Sequence, residues 1–325
     1  MKALLSLAAI GVLFLLVVLG ACARGLKVPT AELTTSATPA PVTRTFPTVT
    51  VHALHTGWVS VKEAHRTLSG ADGMRVPAIL LDQTWTEWMP VYVYALVHRE
   101  GVWLVDTGLS ETTLDFTDSA CDPGNRFVYQ NLLRFRFEPS QRVDRQLLAL
   151  GVQLDQVRGV VFTHRHADHT DAFPNLPASA TAYVGVRDWP AHNGALPCRW
   201  PTGRVPMQVG ETGESFGALP HSTKLTTDGQ VRVVPITGHS PGHLGVMADL
   251  GDGRHVLFAG DAAFSLEQIE TGTIAGISEV PDAARRSLGL IREQLRSAPT
   301  FLLPSHDPVS LARFVRDEVT SVTKQ

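Results

Sequence analysis

The apolar positions of the chain fall into short runs separated by turn residues. Val91 to His98 is apolar and β-branched or aromatic, Arg99-Glu100-Gly101 can turn, and Val102 to Val105 resumes; this predicts a hairpin running into Asp106-Thr107-Gly108. Gly159 to Phe162 is a short strand of the buried type that ends at Thr163-His164. Further strands are expected at Thr181 to Val186, Val231 to Ile236, Leu244 to Leu250, His255 to Phe258 and Phe301 to Leu303, with Gly251-Asp252-Gly253 as a hairpin turn. Helical spacing marks Gln141 to Leu150, with Ser140 as N-cap and Gly151 as the stop. It also marks Ala283 to Leu295 behind Pro281-Asp282, and Val309 to Val319. Leu109 to Pro139 has no clear period and, with a turn at Asp122-Pro123-Gly124-Asn125, reads as a long loop or lid. Strands first, then strands mixed with helices, predict sheets with helices packed outside.

The N-terminus has a different pattern. After Lys2, residues Ala3 to Ala23 carry no charge and are mostly Ala, Leu, Val, Ile and Phe, as in a secretory signal peptide. Leu19-Gly20-Ala21-Cys22 resembles the bacterial lipobox, which implies cleavage after Ala21 and a lipid anchor on Cys22. Two other readings fit the same residues: ordinary secretion, with Ala21-Cys22-Ala23 as the cleavage site, and an uncleaved membrane-spanning anchor. All three put the rest of the chain outside the cytoplasm, and the lipid-anchored reading puts it in the cell envelope, a membrane-anchored lipoprotein facing the periplasm or exterior. Val28 to Thr50 holds eight Thr and four Pro and reads as a tether that buries too little surface to fold. The expected organisation is a signal peptide at 1–21, a lipid-anchored linker at 22–50 and one catalytic domain at 51–325.

Charge narrows the partners. With 28 Lys+Arg against 31 Asp+Glu, the net charge of −3 leaves no basic surplus for a phosphate backbone, so nucleic acid is excluded. Three cysteines are too few for a disulfide scaffold, and the count is odd. A lipidated Cys22 leaves Cys121 and Cys198 as an even pair, whose contact is a question of distance that spacing does not answer.

The chemistry concentrates at His164-Arg165-His166-Ala167-Asp168-His169, directly after an apolar strand. Imidazoles and a carboxylate suit zinc or another divalent first-row metal, and they converge if the backbone turns sharply there. The bland alternative is a solvated loop with incidental histidines. Three later pieces put a donor at a strand end beside a Gly or Pro turn: Thr237-Gly238-His239, Ala259-Gly260-Asp261 and Pro304-Ser305-His306-Asp307.

This set resembles the metallo-β-lactamase superfamily, whose HxHxDH motif is matched at His164, His166, Asp168 and His169. The resemblance covers nearly all of 51–325 and implies an α/β (α+β) protein, a four-layer αββα sandwich with the site at one sheet edge. It implies two divalent metal ions, zinc foremost, one held by His164, His166 and His239, the other by Asp168, His169 and His306, with Asp261 bridging. Asp106 matches the family's Asp-Thr-Gly turn, where a buried carboxylate would accept a ligand histidine's second N–H; a capped turn Asp is the plainer reading. His243 reads as structural. His52, His55, His65, His98, His192, His221 and His255 have no partner spacing and no assigned role.

Two divalent ions sharing a water make a hydroxide nucleophile near neutral pH and polarise a carbonyl. Asp168 and Asp261 would orient that hydroxide and take its proton. A serine mechanism has one nominal signal, Gly213-Glu214-Ser215-Phe216-Gly217, but no apolar strand leads into it and Pro220 interrupts the helix that should follow. The layout is most similar to the lactonase branch, through Val105-Asp106-Thr107-Gly108, Gly260-Asp261-Ala262-Ala263 and Ser305-His306-Asp307-Pro308. Enzymes of that branch open N-acyl homoserine lactones, commonly with a tyrosine three residues after the bridging Asp; here that position is Phe264. Trp85, Trp88 and Met89, with Leu132, Leu133, Phe135 and Phe137, are candidates for an apolar substrate pocket, with core packing as the alternative. The expected activity is hydrolysis of a small-molecule lactone or other ester. A β-lactamase, or a thioester or phosphodiester hydrolase, is the rival. A non-catalytic metal-binding lipoprotein would need a broken ligand set, and every position is filled.

Overall fold

The computed structural model describes residues 39–68, 70–116 and 120–322. The signal-peptide residues and Cys22 lie outside them. Among the described residues no helix is long and apolar enough to cross a membrane.

Among the described residues thirteen strands form two sheets. The first contains β1 (Val42–Thr45), β2 (Thr50–Val61), β3 (Met89–His98), β4 (Gly101–Val105), β5 (Leu133–Arg136), β6 (Val157–Val161), β7 (Thr181–Gly185) and β8 (Met207–Val209). Its order is β1-β2-β3-β4-β6-β7-β8; β1 and β5 pair with opposite ends of β2. The second sheet, in order β13-β12-β11-β10-β9, holds β9 (Thr223–Lys224), β10 (Val231–Pro235), β11 (Leu244–Asp249), β12 (His255–Gly260) and β13 (Thr300–Pro304).

Burial on both faces explains why Val91 to His98 reads as a continuous apolar run. Tyr94 and Leu96 face the inter-sheet core with Val233, Val246, Phe258 and Leu303. Val93 and Ala95 face outward onto a layer that includes Val143, Leu147 and Phe173. On the far side, the face formed by Ala284, Leu288, Ile291 and Leu295 packs on Val234, Met247 and Leu302 of the second sheet. The result is the expected αββα sandwich.

Among the described residues the α-helices are α1 (Glu63–Arg66), α2 (Arg75–Leu81), α3 (Pro123–Asn131), α4 (Val143–Ala149), α5 (Ala167–Thr170), α6 (Leu266–Thr271), α7 (Pro281–Ser297) and α8 (Pro308–Val315). α4 and α7 fall where the periodicity puts them, but Ser140 belongs to a short 3-10 turn and does not cap α4. α8 stops before the expected Val319.

Two expectations need correction. The folded part starts before Val51: Val42–Thr45 pairs with 50–53, and Phe46 and Val49 enter the inter-sheet core, so the end of the supposed tether is a sheet edge. Leu109 to Pro139 is not a bare loop. Asp122 caps α3 through the Gly124 and Asn125 N–H groups, Pro123 occupies its first turn, and β5 follows. Cys121 and Cys198 form a disulfide across 77 residues, joining the approach to α3 to the segment beyond β7.

Cross-linking two segments so far apart removes freedom mainly from the unfolded chain, typically by about 2–4 kcal/mol. Reductant, or a C121S/C198S double variant, should lower Tm by about 5–10 °C, read by a thermal melt. An unchanged Tm would show that the bond carries no stability.

Candidate metal centre

Strand direction gathers the donors. β4 and β6 run parallel, as do β12 and β13, and β10 shares the direction of β12 because β11 lies antiparallel between them. The C-terminal ends of these strands therefore meet at one edge of the sandwich. They deliver Asp106 after β4, His164 after β6, His239 after β10, Asp261 after β12 and His306 after β13. A short helix, α5, turns the chain back so that Asp168 and His169 face the same point. Gly260 has φ +52, and a Cβ there would lie 2.6 Å from Thr163 and 2.8 Å from the His243 ring, so the turn into Asp261 needs glycine.

Two groups of donors result. His164 Nε2 lies 2.8 Å from His166 Nδ1 and 3.2 Å from His239 Nε2. His306 Nε2 lies 3.5 Å from Asp168 Oδ2, and His169 Nε2 lies 3.7 Å from the same oxygen. Asp261 stands between them, with Oδ1 3.2 Å from His306 and 3.4 Å from His169, and Oδ2 3.8 Å from His239. All of these side chains are buried except His166, which is half-buried.

The hydrogen bonds behind the rings identify which nitrogen faces inward. His166 Nε2 donates to the Asn193 carbonyl at 3.1 Å, and His306 Nδ1 to the Pro90 carbonyl at 2.8 Å. His169 Nδ1 donates to Asp106 Oδ2 at 2.8 Å. Thr163 Oγ1 donates to Asp106 Oδ2 and so accepts from His164 Nδ1 at 3.1 Å. Each of these four rings then points a lone pair at the cluster centre. His169 Nε2 and Asp261 Oδ1 are buried with no hydrogen-bond partner. Lone pairs facing one another at 2.8 Å, beside orphaned buried donors, are a balance that a cation would supply, and the nitrogen–oxygen set fits zinc or a similar divalent ion.

Electrostatics agree. Burial drives His164, His166 and His239 well below the ordinary imidazole range, so they are neutral and able to ligate. Burial also acts to lower His169, yet Asp261, Asp106 and Asp168 together hold it well above that range, so with no cation present Nε2 takes a proton, which a metal ion would displace to free the lone pair. Asp261 lies well below the usual carboxylate range: burial opposes this, but His306 and His169 outweigh it. Burial raises Asp168.

Several residues that pattern reading passed over complete the surroundings. His192 Nδ1 donates to Glu279 Oε1 at 2.9 Å, and its Nε2 accepts the Arg165 N–H at 3.0 Å. Glu279 Oε2 accepts from Asn193 Nδ2 at 2.6 Å, and the Glu279 N–H donates to the His239 carbonyl at 3.0 Å. Asp188 holds the same turn through Ser240 and Gly242, at 2.6 Å each. His243 Nε2 accepts the Asp261 N–H at 3.1 Å, a structural part.

Phe264 lies over the centre, stacked on His306 with centroids 5.5 Å apart. Beside His166 a cavity of about 120 Å³ is lined by His65, Val128, Tyr129, Leu133, Asn193, Gly194, Ile277 and Glu279. Of the apolar residues expected at a pocket, Leu133 is there. Trp85, Trp88 and Met89 are not. The Trp85 ring is covered by Lys62 and Arg134, Trp88 by Arg136, and Met89 is buried in the core. Ser215 lies on an exposed loop.

Comparison with known proteins follows this geometry. The family model described as "Metallo-beta-lactamase superfamily" matches residues 86–306. A probable metallo-hydrolase of Mycobacterium tuberculosis is 29% identical over 219 residues, 64% of this chain and 67% of the relative. The N-acyl homoserine lactonase AttM of Agrobacterium fabrum is 26% identical over 238 residues, 70% of this chain and 85% of AttM. Among solved structures, an AiiA variant of B. thuringiensis with N-decanoyl-L-homoserine bound superimposes with a TM-score of 0.64 at 17% identity, covering 83% of this chain and 96% of its own. With a matching model over two thirds of its length and the donor set that such a fold gathers at its sheet edge, the chain belongs to the metallo-β-lactamase superfamily.

Proposed function

We propose that the protein is a dinuclear metallohydrolase that opens a lactone or cleaves another small ester outside the cytoplasm. The observation that carries this reading is the convergence of seven donor side chains, in two groups joined by Asp261, with ring N–H groups anchored behind them. His164, His166 and His239 would hold one ion, and Asp168, His169 and His306 the other. Bound there, a pair of zinc ions would polarise an ester carbonyl, acidify water and stabilise the oxyanion.

The remaining work falls to the chain. Asp168 and Asp261 orient the attacking water, and either carboxylate takes its proton. Asp106 fixes His169: Oδ2 accepts from the ring, while Oδ1 accepts the Thr163 N–H at 2.7 Å. The apolar cavity beside His166 takes an acyl or alkyl portion of the substrate and excludes water from that side. The lactonase names of relatives such as AttM favour a lactone over a β-lactam, thioester or phosphodiester.

Lipid anchorage on Cys22 is part of the proposal. The Leu19-Gly20-Ala21-Cys22 pattern supports it, and the Cys121–Cys198 disulfide suits an oxidising compartment.

Four measurements test these statements. The full chain, loaded with zinc, should hydrolyse lactones in a panel with β-lactams, thioesters and phosphodiesters. His166→Ala and Asp261→Ala should each lose bound metal and at least about 10³-fold in kcat; full activity at matched metal content would sink the assignment. Asp106→Asn suits the left-handed backbone there (φ +64) but turns an N–H toward a donor, so zinc affinity should fall about 10–100-fold in chelator competition. An unchanged affinity would leave Asp106 as a turn residue only. Cys22→Ala should abolish incorporation of labelled fatty acid in cells; retained labelling would place the modification elsewhere.

A further inference from the structure

An ester's developing oxyanion is best met by a directional N–H or O–H in addition to metal charge. Phe264, the side chain stacked over His306, has neither. The polar groups around the cavity are nearly all committed. Tyr129 Oη donates to the Gly194 carbonyl at 2.6 Å and accepts the Ala167 N–H at 3.1 Å. Asn193 Nδ2 and both Glu279 oxygens are engaged with one another and with His192. His166 has one nitrogen on Asn193 and the other in the donor cluster.

His65 is different. It lines the cavity with only 6% of its surface exposed, and among the described residues neither ring nitrogen has a hydrogen-bond partner. Its backbone is fixed: the Ile277 N–H donates to the His65 carbonyl at 3.1 Å. Gln268 spans from this strand of chain to the metal rim, giving Nε2 to the Arg66 carbonyl at 2.8 Å while Oε1 accepts the Phe264 N–H at 2.7 Å. That amide bridge ties the backbone next to His65 to Phe264, and the His65 ring shares the cavity with His166. Burial pushes the imidazole down to about 4, so at neutral pH it carries one N–H and one lone pair.

We propose that His65 is the directional hydrogen-bond donor of this site, offering its ring N–H to the carbonyl or leaving oxygen of a bound ester. The bond is donated without proton transfer. The inference rests on the ester-hydrolase reading above.

The test uses the full chain loaded with zinc and any lactone that the parent hydrolyses. His65→Ala should keep the parent's zinc content and lower kcat about 10²-fold with little change in KM. His65→Gln, which keeps an N–H, should recover part of the loss. Phe264→Tyr should raise kcat at least tenfold in the His65→Ala background and by a smaller factor in the parent, the non-additivity expected when two groups serve one oxygen. Independently of turnover, the nitrogen-15 signal of the His65 ring should shift when the ring-opened hydroxy acid is added to saturation. Parental kcat in His65→Ala, loss of zinc from that variant, or an unmoved ring signal each overturns the proposal alone. A parent that hydrolyses no ester or lactone overturns the ester reading and this proposal with it.

Discussion

The governing constraint is that seven electron-rich side chains must face one another in a site largely shielded from water. Burying such groups unpaired is costly, and each ring must also present its lone pair inward. Much of the fold serves this requirement. Parallel pairing of β4 with β6 and β12 with β13 brings strand ends to one edge, so the donors come from separate parts of the chain yet arrive together. The acceptors behind the rings are rigid: a carboxylate at Asp106 and main-chain carbonyls at Pro90 and Asn193. Main-chain acceptors are insensitive to most substitutions, so ring orientation at His166 and His306 is protected from side-chain drift.

A second layer of polar contacts ties the histidine turns to one another. Glu279 touches the His239 turn by its backbone and the 192–193 segment by its side chain. Arg165, between the first two histidines of the motif, lies against the Trp189 and Trp200 rings and donates to the Asp188 and Pro190 carbonyls. The position that the motif leaves free is thus used to pin the loop to the protein body.

How much was legible in the sequence follows from how local each signal is. His164 to His169 is contiguous and could be read directly. His239, Asp261 and His306 became legible because each follows a strand and matches a family pattern. His65, His192, Glu279 and Asp188 carry no such mark, since they meet the site only through contacts across many residues. The same holds for the fold. Both-sided burial made Val91 to His98 plain, and α7 shows one clean apolar face. β2 carries no clear period because His52, His55, Thr56 and Gly57 interrupt its apolar run, and its pairing with β3 is irregular between His55 and Trp58. The Asp122-Pro123 start of α3 is chemically the same signal for a turn and for a helix N-terminus. Trp85 and Trp88 look like pocket aromatics in sequence, but cationic neighbours occupy their faces.

The Cys121–Cys198 bond has a consequence for binding. Its two ends lie just before α3, which carries Val128 and Tyr129, and just after the segment that carries Asn193 and Gly194. Both segments line the cavity beside His166 and meet there, where Tyr129 Oη donates to the Gly194 carbonyl. A covalent staple keeps them at high effective concentration, so a substrate taken up there as proposed would not have to collect them. The ordering cost that usually weakens association has already been met during oxidation of the chain, leaving more of the contact energy to appear as affinity and selectivity.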